Sequence, residues 1–156
     1  MACYGLLVRR VQQDEAVWLR FAERRPVSAL AIPFLDWCSP RLQALGVPVW
    51  ILIWDKASWH VSKAVRAWIR AHNRTVKQQG VRILVCYLPV KSPWLNPMEP
   101  QWVHSKRAIV EPTRLLSAQE VAERVCSYLC SYLCSYHGCP HEPLLSLPDP
   151  VLDKAS

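Results

Sequence analysis

The chain has 156 residues, of which 51% are hydrophobic, so it is long and apolar enough for one domain with its own core, and a wholly disordered chain is excluded. Its formal net charge of +7, from 19 Lys and Arg against 12 Asp and Glu, favours a polyanionic partner such as nucleic acid without requiring one. No apolar run approaches the roughly 18 residues of a transmembrane helix, and the N-terminus lacks a signal-peptide pattern, so we expect a cytoplasmic protein with reduced thiols.

The first part of the chain predicts a hairpin followed by a helix. Residues 2–8 are apolar and residues 16–24 alternate with a period of two, which predicts two antiparallel strands joined by a polar turn. Ser28 is a suitable N-cap for a helix over residues 29 to about 45, and Pro40 is predicted to end or kink that helix.

Two strong strand signals follow, with a helix between them. Val49–Trp54 and residues 81–88 are continuous apolar runs, which are typical of parallel strands that are buried on both faces. Ser62 is predicted to cap the intervening helix, which should run to about Asn73.

Two further helices complete the predicted order. One should begin near Pro97, and the Ser117 and Glu120 pair has capping-box spacing at the start of the last helix. The order strand, strand, helix, strand, helix, strand, helix, helix predicts an α/β fold with a mixed sheet flanked by helices. We assign residues 1–143 to this domain and residues 144–156 to a proline-rich tail.

Asp55 and Glu99 each lie beyond a predicted buried strand, at the sheet edge where ligands and catalytic groups collect in α/β folds. Neighbouring carboxylates repel unless a cation neutralises them, and their hard oxygens suit magnesium or manganese. Two such ions can activate water for attack on a phosphodiester. The structural alternatives are a strand-end turn for Asp55 and, for Asn96-Pro97-Met98-Glu99, a capping box with proline at the first helical position.

Two motifs around these acids carry a family resemblance. The segment Trp-Asp55-Lys-Ala-Ser-Trp-His60 resembles the second-aspartate motif of DDE transposases of the mariner-like insertion-sequence group. The segment Leu-Pro-Val-Lys-Ser-Pro-Trp-Leu-Asn-Pro-Met-Glu99-Pro-Gln-Trp resembles their last-acid motif, a proline-rich turn before a helix. A weaker similarity covers residues 3 to about 143.

The resemblance implies an RNase H-like catalytic domain that cuts and rejoins DNA at transposon ends with two metal ions. It implies that Asp55 is the second acid, that Glu99 is the third acid and that both bind the metal ions. Asn96 and His60 then lie beside the site, where His60 either donates a hydrogen bond there or contacts the scissile phosphate. The alternative for His60 is a helix-capping or solvated imidazole.

The chain also departs from the family pattern. The leading aspartate belongs on a strand before the hairpin, whereas Asp14 and Glu15 fall in the hairpin turn. We therefore expect the first strand, its acid and the helix-turn-helix region to be missing, and the chain to be inactive alone. Lys56 stands where asparagine is usual, and it can pair with Asp55 and compete with an ion.

These departures leave two interpretations. In the first, an upstream transposase polypeptide supplies the missing strand and acid, and the functional form is a homodimer. In the second, the chain is a non-catalytic DNA-binding or assembly fragment of a transposase. The missing strand would lie in the middle of the sheet, so its absence should expose backbone groups of the neighbouring strands.

Basic and aromatic residues near these motifs have functional and structural interpretations. The cations either contact DNA phosphates or form solvated surfaces, and they are Lys63, Arg66, Arg70, Arg74, Lys77, Arg82, Lys91, Lys106 and Arg107. Trp59, Trp94 and Trp102 can stack on splayed bases, but we predict that they pack in the core.

A Cys-Ser-Tyr tetrapeptide is repeated from Cys126, Cys130 and Cys134, which places the cysteines on one face of a helix. A zinc site formed by Cys134, His137, Cys139 and His141 is one alternative, but the spacing does not match paired zinc ligands. We favour a slipped duplication, which adds eight residues to the last helix.

Overall fold

The computed structural model describes residues 2–11, 15–22, 28–76, 80–110 and 113–133. In these residues the elements follow the predicted order: β1 (Ala2–Val8), β2 (Ala16–Ala22), α1 (Ser28–Ala44), β3 (Val49–Trp54), α2 (Lys63–Thr75), β4 (Arg82–Tyr87), α3 (Met98–Ile109) and α4 (Ala118–Leu133). A 3-10 turn at Pro93–Leu95 precedes α3. The predicted α/β class is confirmed, and none of the helices in the described ranges is long and apolar enough to cross a membrane.

The strands form two small sheets instead of one. β1 and β2 pair antiparallel, with Ala2 opposite Ala22, as the hairpin prediction requires. β3 and β4 pair in parallel, with Val49 opposite Arg82 and Trp54 opposite Tyr87. Between the described strands no ladder joins one pair to the other, so the arrangement is that of an RNase H-like sheet without its full set of strands.

A single apolar core joins the two sheets, and α1 supplies much of it. Phe34 of α1 lies with its ring centroid 5.6 Å from that of Tyr4 in β1, and Trp37 meets Trp18 of β2 edge to face at 6.2 Å. The same cluster contains buried side chains from the other sheet and from α2: Trp50, Leu52, Val65, Ile69, Val81 and Ile83. The two sheets are therefore held on one common core despite their separate hydrogen-bond ladders.

α1 does not end at Pro40, so the first of the two outcomes predicted for this proline is wrong, and the kink stays a prediction. The helix contains Pro33 and Pro40 and continues to Ala44. Cys38 and Leu42 on either side of Pro40 are 0% and 3% exposed, and their burial offsets the roughly 3 kcal/mol that an internal proline costs. The helix stops instead at Gly46, whose φ of +71° ends it in a Schellman motif.

β3 and β4 are buried on one face only, so the prediction of burial on both faces is wrong. α1 and α2 pack on the face that presents Trp50, Leu52 and Ile83. On the opposite face the apolar side chains are 43–64% exposed, because α3 and α4 pack on the β1–β2 hairpin and leave this surface open within the described chain. We call this surface the bare face, and it consists of Val49, Ile51, Ile53 and Leu84.

α3 and α4 cover the second side of the hairpin. Their cluster contains Val17, Leu19, Phe21, Met98, Val125 and Leu129, and Trp102 packs against it. Gly5 of β1 provides the room for this contact, since a Cβ there would lie 2.6 Å from the Trp102 ring. α3, which carries Glu99, is therefore seated on β1 through a position where only glycine fits.

Both predicted N-caps of the later helices are confirmed. Ser62 accepts a hydrogen bond from the Val65 N–H at 3.2 Å and begins α2. Ser117 accepts from the Glu120 N–H at 3.2 Å, while the Glu120 carboxylate accepts from the Ser117 N–H at 2.8 Å, which forms a capping box. Arg114 also bonds to Glu120, and these contacts lower the pKa of Glu120 to about 2.

The outer edge of β4 is occupied by side chains of α2. Asn73 donates from Nδ2 to the Ile83 carbonyl at 2.8 Å and accepts from the Ile83 N–H at Oδ1 at 2.9 Å. His72 donates from Nε2 to the Val81 carbonyl at 2.9 Å and stacks on Trp68. These bonds replace a neighbouring strand and protect an otherwise exposed sheet edge.

Several sequence predictions lie outside the described residues. They concern Asp14, Lys77, the continuation of α4 toward Tyr136, the cysteine and histidine positions after Leu133, and the tail at residues 144–156. In the described part of the repeat, Cys126 lies half-buried in α4. The zinc and duplication interpretations both stay predictions.

Candidate active site

The carboxyl ends of β3 and β4 lie side by side. The Leu88 N–H donates to the Trp54 carbonyl at 2.8 Å, so the pairing continues to the last residue of β3. Asp55 is the next residue, and the segment that leads to Glu99 leaves the sheet beside it. The parallel register therefore brings the starts of the two predicted motifs, Trp54 and Leu88, to one sheet edge.

Asp55 is held by two hydrogen bonds to one oxygen. Its Oδ1 atom lies 2.6 Å from Nδ1 of His60 and accepts the Ala57 N–H at 2.9 Å. His60 Nε2 accepts the indole N–H of Trp59 at 3.0 Å, so this nitrogen carries a lone pair and Nδ1 carries the proton. Nδ1–H of His60 is therefore the donor to Asp55, which fixes the carboxylate orientation.

His60 binds Asp55 as a neutral imidazole. Burial lowers the pKa of His60, and the hydrogen bond and charge of Asp55 oppose this shift without overcoming it. Trp54 adds to the burial, since its ring centroid lies 4.0 Å from that of His60. Protonation of His60 at Nε2 would also place two N–H donors, that of His60 and that of Trp59, against each other. The contact is accordingly a hydrogen bond to a carboxylate rather than an ion pair at neutral pH.

This arrangement predicts that acid destabilises the fold through His60. The unfolded imidazole titrates near its ordinary pKa of 6.5, while the pKa in the folded chain is lower. Below pH 6.5 the unfolded chain therefore binds the proton first, and stability falls as the pH drops toward the folded pKa, by at most about 1.4 kcal/mol per pH unit. Urea unfolding at pH 7.5, 6.5 and 5.5 should show a smaller loss in His60→Asn, whose amide can still donate to Asp55. Parallel pH profiles for the two proteins would contradict the assignment.

Lys56 follows Asp55 directly in the chain. Its side chain is exposed, and in the described ranges no ion pair joins it to Asp55. The Asp55 carboxylate is instead oriented by Ala57 and His60. Competition of Lys56 with a bound ion stays a prediction.

Glu99 lies at the start of α3, and its carboxylate is not used in capping. Asn96 Oδ1 accepts the Met98 N–H at 3.1 Å, and the Asn96 carbonyl accepts the Glu99 N–H at 3.0 Å. The helix begins at Met98 with Pro97 before it, so Glu99 is its second residue and not the third that a capping box requires. The predicted return bond is absent, and among the described residues the half-buried carboxylate has no hydrogen-bond or ion-pair partner.

The two acids offer oxygens that suit a hard divalent cation. The Asp55 side chain is 42% exposed and uses only Oδ1 in hydrogen bonds, which leaves Oδ2 available, and both oxygens of Glu99 are available. Carboxylate oxygens are the ligands that magnesium and manganese prefer. Within the part of the chain that is described, no group of three or more acid, histidine or cysteine side chains forms a metal cage. The donors present fit such an ion but form an incomplete set.

The exposed face of α2 is strongly basic. The helix has no acidic residue, and its four exposed cations are spaced by three, four and four residues: Lys63, Arg66, Arg70 and Arg74. The other described cations of the predicted phosphate-contacting set are also exposed: Arg82, Lys91, Lys106 and Arg107. An unopposed positive stripe of this kind suits a phosphate backbone.

The three predicted core tryptophans have different surroundings. Trp102 packs against the apolar cluster under α3, as predicted. Trp59 is half-buried and donates to His60, a role that the adjacent Trp-His pair in the motif did not reveal. Trp94 is 72% exposed, so its assignment to the core is wrong.

A family model described as DDE superfamily endonuclease matches residues 6–121, which include Asp55 and Glu99 and every element from β2 to α3. The chain belongs to this family. No curated protein and no solved structure matches it. The predicted resemblance to DDE endonucleases is thereby confirmed, and membership of the family gives the chain a transposase-like nuclease domain whose relatives act on DNA and generally use divalent metals.

Proposed function

We propose that this domain derives from an insertion-sequence transposase of the mariner-like group and serves metal-dependent DNA strand cleavage and transfer at transposon ends. Asp55 and Glu99 would hold magnesium or manganese. This proposal is supported by the way in which the structure holds the Asp55 and Glu99 carboxylates. His60 and Trp59 orient one oxygen of Asp55, and Glu99 stands at a helix start without a capping role.

Each residue of the site has a defined part in this proposal. Asp55 keeps Oδ2 for a cation while Oδ1 receives the His60 proton, and neutral His60 avoids placing a second positive charge beside that cation. Asn96 fixes the first turn of α3 and therefore the start of the helix that carries Glu99. When bound, the ions supply Lewis-acid stabilisation of the phosphodiester and an activated nucleophile.

A third carboxylate is required to complete such a site, and we propose that it comes from an upstream transposase polypeptide. One feature of the described residues supports an added strand: β1 and β3 each pair on one side only. The 156-residue chain would then be inactive alone and would work as a homodimer of the completed unit. Failure of the two polypeptides to co-purify after co-expression would count against this assembly.

The test of the site is manganese binding, because it requires no knowledge of the DNA ends. Asp55→Asn and Glu99→Gln are each expected to weaken Mn²⁺ affinity at least about tenfold, since each removes a charged ligand. Electron paramagnetic resonance of free Mn²⁺ during a titration measures this directly. Asp36→Asn, at an exposed position of α1, is the matched control and should bind like the wild type. Equal binding by all four proteins would contradict the metal site.

The second candidate function is DNA binding without chemistry, and the basic face of α2 favours it. In that case affinity for duplex DNA falls with salt, persists in EDTA and survives Asp55→Asn. Unchanged Mn²⁺ binding in both site variants, together with DNA binding in EDTA, would favour this second function. Loss of Mn²⁺ binding in both variants would favour the first.

A further inference from the structure

Trp94 is unusual among the tryptophans of this chain. All eight lie in described residues, and seven are buried or half-buried, whereas Trp94 is 72% exposed. It lies in the 3-10 turn at Pro93–Leu95, where the Leu95 N–H donates to the Ser92 carbonyl at 3.1 Å. Asn96 then caps the first turn of α3. An ordered backbone therefore presents a large apolar ring to solvent.

The turn lies within the second of the two motifs, in the part that precedes Glu99. Its segment leaves the sheet at Leu88, which is bonded to the last residue before Asp55, and it ends at Glu99. Val90 and Leu95 in the same segment are 66% and 49% exposed. We call Val90, Trp94 and Leu95 the apolar knuckle, and it lies in the segment that leads from the Asp55 sheet edge to Glu99.

The surroundings of this knuckle fit a nucleic acid better than a protein surface. Lys91 is exposed three residues before Trp94, in a left-handed conformation with φ of 60°, and Lys56 is exposed next to Asp55. Lysine is depleted in protein–protein interface cores, whereas an aromatic plane flanked by cations is the usual platform for a base and its phosphate.

We propose that Trp94 stacks on an unpaired base of DNA adjacent to the phosphate held at the Asp55 and Glu99 edge. The chain then prefers frayed or flapped DNA to fully paired DNA of the same sequence. A base that leaves the helix exposes both of its faces, and the indole replaces the stacking that it loses. The inference rests on the proposed function, because it takes DNA as the ligand.

The test compares two fluorescein-labelled DNAs by anisotropy in Mg²⁺ buffer. One is a blunt 30-base-pair duplex (a length of about three helical turns), and the other has the same sequence with a short unpaired flap. The wild type should bind the flapped DNA more tightly. Trp94→Ala should weaken flapped-DNA binding about tenfold and leave blunt-duplex binding unchanged, because stacking on one base has about this effect. Trp94→Phe should retain most of the preference.

A second readout reports the contact itself. With 2-aminopurine in the flap, stacking quenches its fluorescence, so wild type and Trp94→Phe should quench it and Trp94→Ala should not. Leu115→Ala, at a position that is 97% exposed, is the control for loss of an exposed apolar side chain and should behave like the wild type.

The outcomes separate this inference from the function on which it rests. If the wild type binds neither DNA, the proposed function fails and the stacking inference fails with it. If the wild type binds both DNAs equally and Trp94→Ala does the same, only the stacking inference is overturned. If the Trp94→Ala protein keeps the flap preference but loses the self-association that light scattering shows for the wild type, the knuckle is a protein contact. This result also overturns the stacking inference.

Discussion

Leu52→Ala is expected to lower the free energy of unfolding by about 2–5 kcal/mol, whereas Ile51→Ala should change it by no more than about 1 kcal/mol. The two residues are adjacent in β3 and lose nearly the same volume on truncation. Leu52 is 4% exposed in the common core, and Ile51 is 64% exposed on the bare face. Urea unfolding followed by circular dichroism, with the slopes compared, measures both changes.

The Ile51 variant is the informative half of this comparison. A loss close to that of Leu52→Ala would mean that the bare face is buried in solution. Repeating the unfolding at several protein concentrations then identifies the cover, because burial by a second copy makes the midpoint rise with concentration. Burial within one chain leaves the midpoint unchanged.

Asn73→Ala is expected to cost about 2–4 kcal/mol. The amide satisfies both backbone groups of Ile83, a residue that is 1% exposed, and alanine leaves a buried donor and a buried acceptor without partners. Asn73→Asp should be similarly harmful, since it keeps the acceptor but sets a carboxylate oxygen against the Ile83 carbonyl. Urea unfolding gives the stability, and hydrogen exchange at the Ile83 amide gives the local effect.

Thr75→Ala provides the control for this experiment. The Thr75 hydroxyl donates to the His72 carbonyl at the same helix end, but it is exposed, so its loss should cost less than about 0.5 kcal/mol. Equal small losses for the Thr75 and Asn73 variants would show that the α2 side chains do not hold the edge of β4.

Local signals were sufficient to predict the order of elements and two of their starts. The period of two in β2, the apolar runs of β3 and β4, and the caps at Ser62 and Ser117 each act within a few residues. The strand directions followed from connection lengths, since a short turn joins β1 to β2 and a helix joins β3 to β4.

Features that depend on distant parts of the chain could not be predicted in this way. An apolar run such as Val49–Trp54 shows that both faces of a strand are apolar enough to be buried. It does not show whether a helix packs on each face. The exposure of Ile51 and Ile53 follows from where α3 and α4 pack. Likewise Pro40 ends an isolated helix, but in α1 the burial of its neighbours is large enough to keep the helix continuous.

In the candidate site, too, only the features that depend on local sequence could be predicted. The motifs predicted Asp55 and Glu99 because an acid after a buried strand is a local pattern. The partner of Asp55 was only one of several interpretations of His60, and the tautomer depends on the Trp59 N–H, whose direction is set by the turn. The exposure of Trp94 was predicted wrongly, because an apolar residue type alone favours the core.

The edge contact of Asn73 also limits how copies of this chain can assemble. The β3–β4 ribbon has one edge filled by its own helix and one edge, on β3, without a strand among the described residues. The proposed upstream strand would pair at this β3 edge, and the other edge of the sheet would still end in the Asn73 side chain. Copies of the chain therefore cannot add to one another through β4, and this edge does not act as a template for growth of the sheet into a fibre.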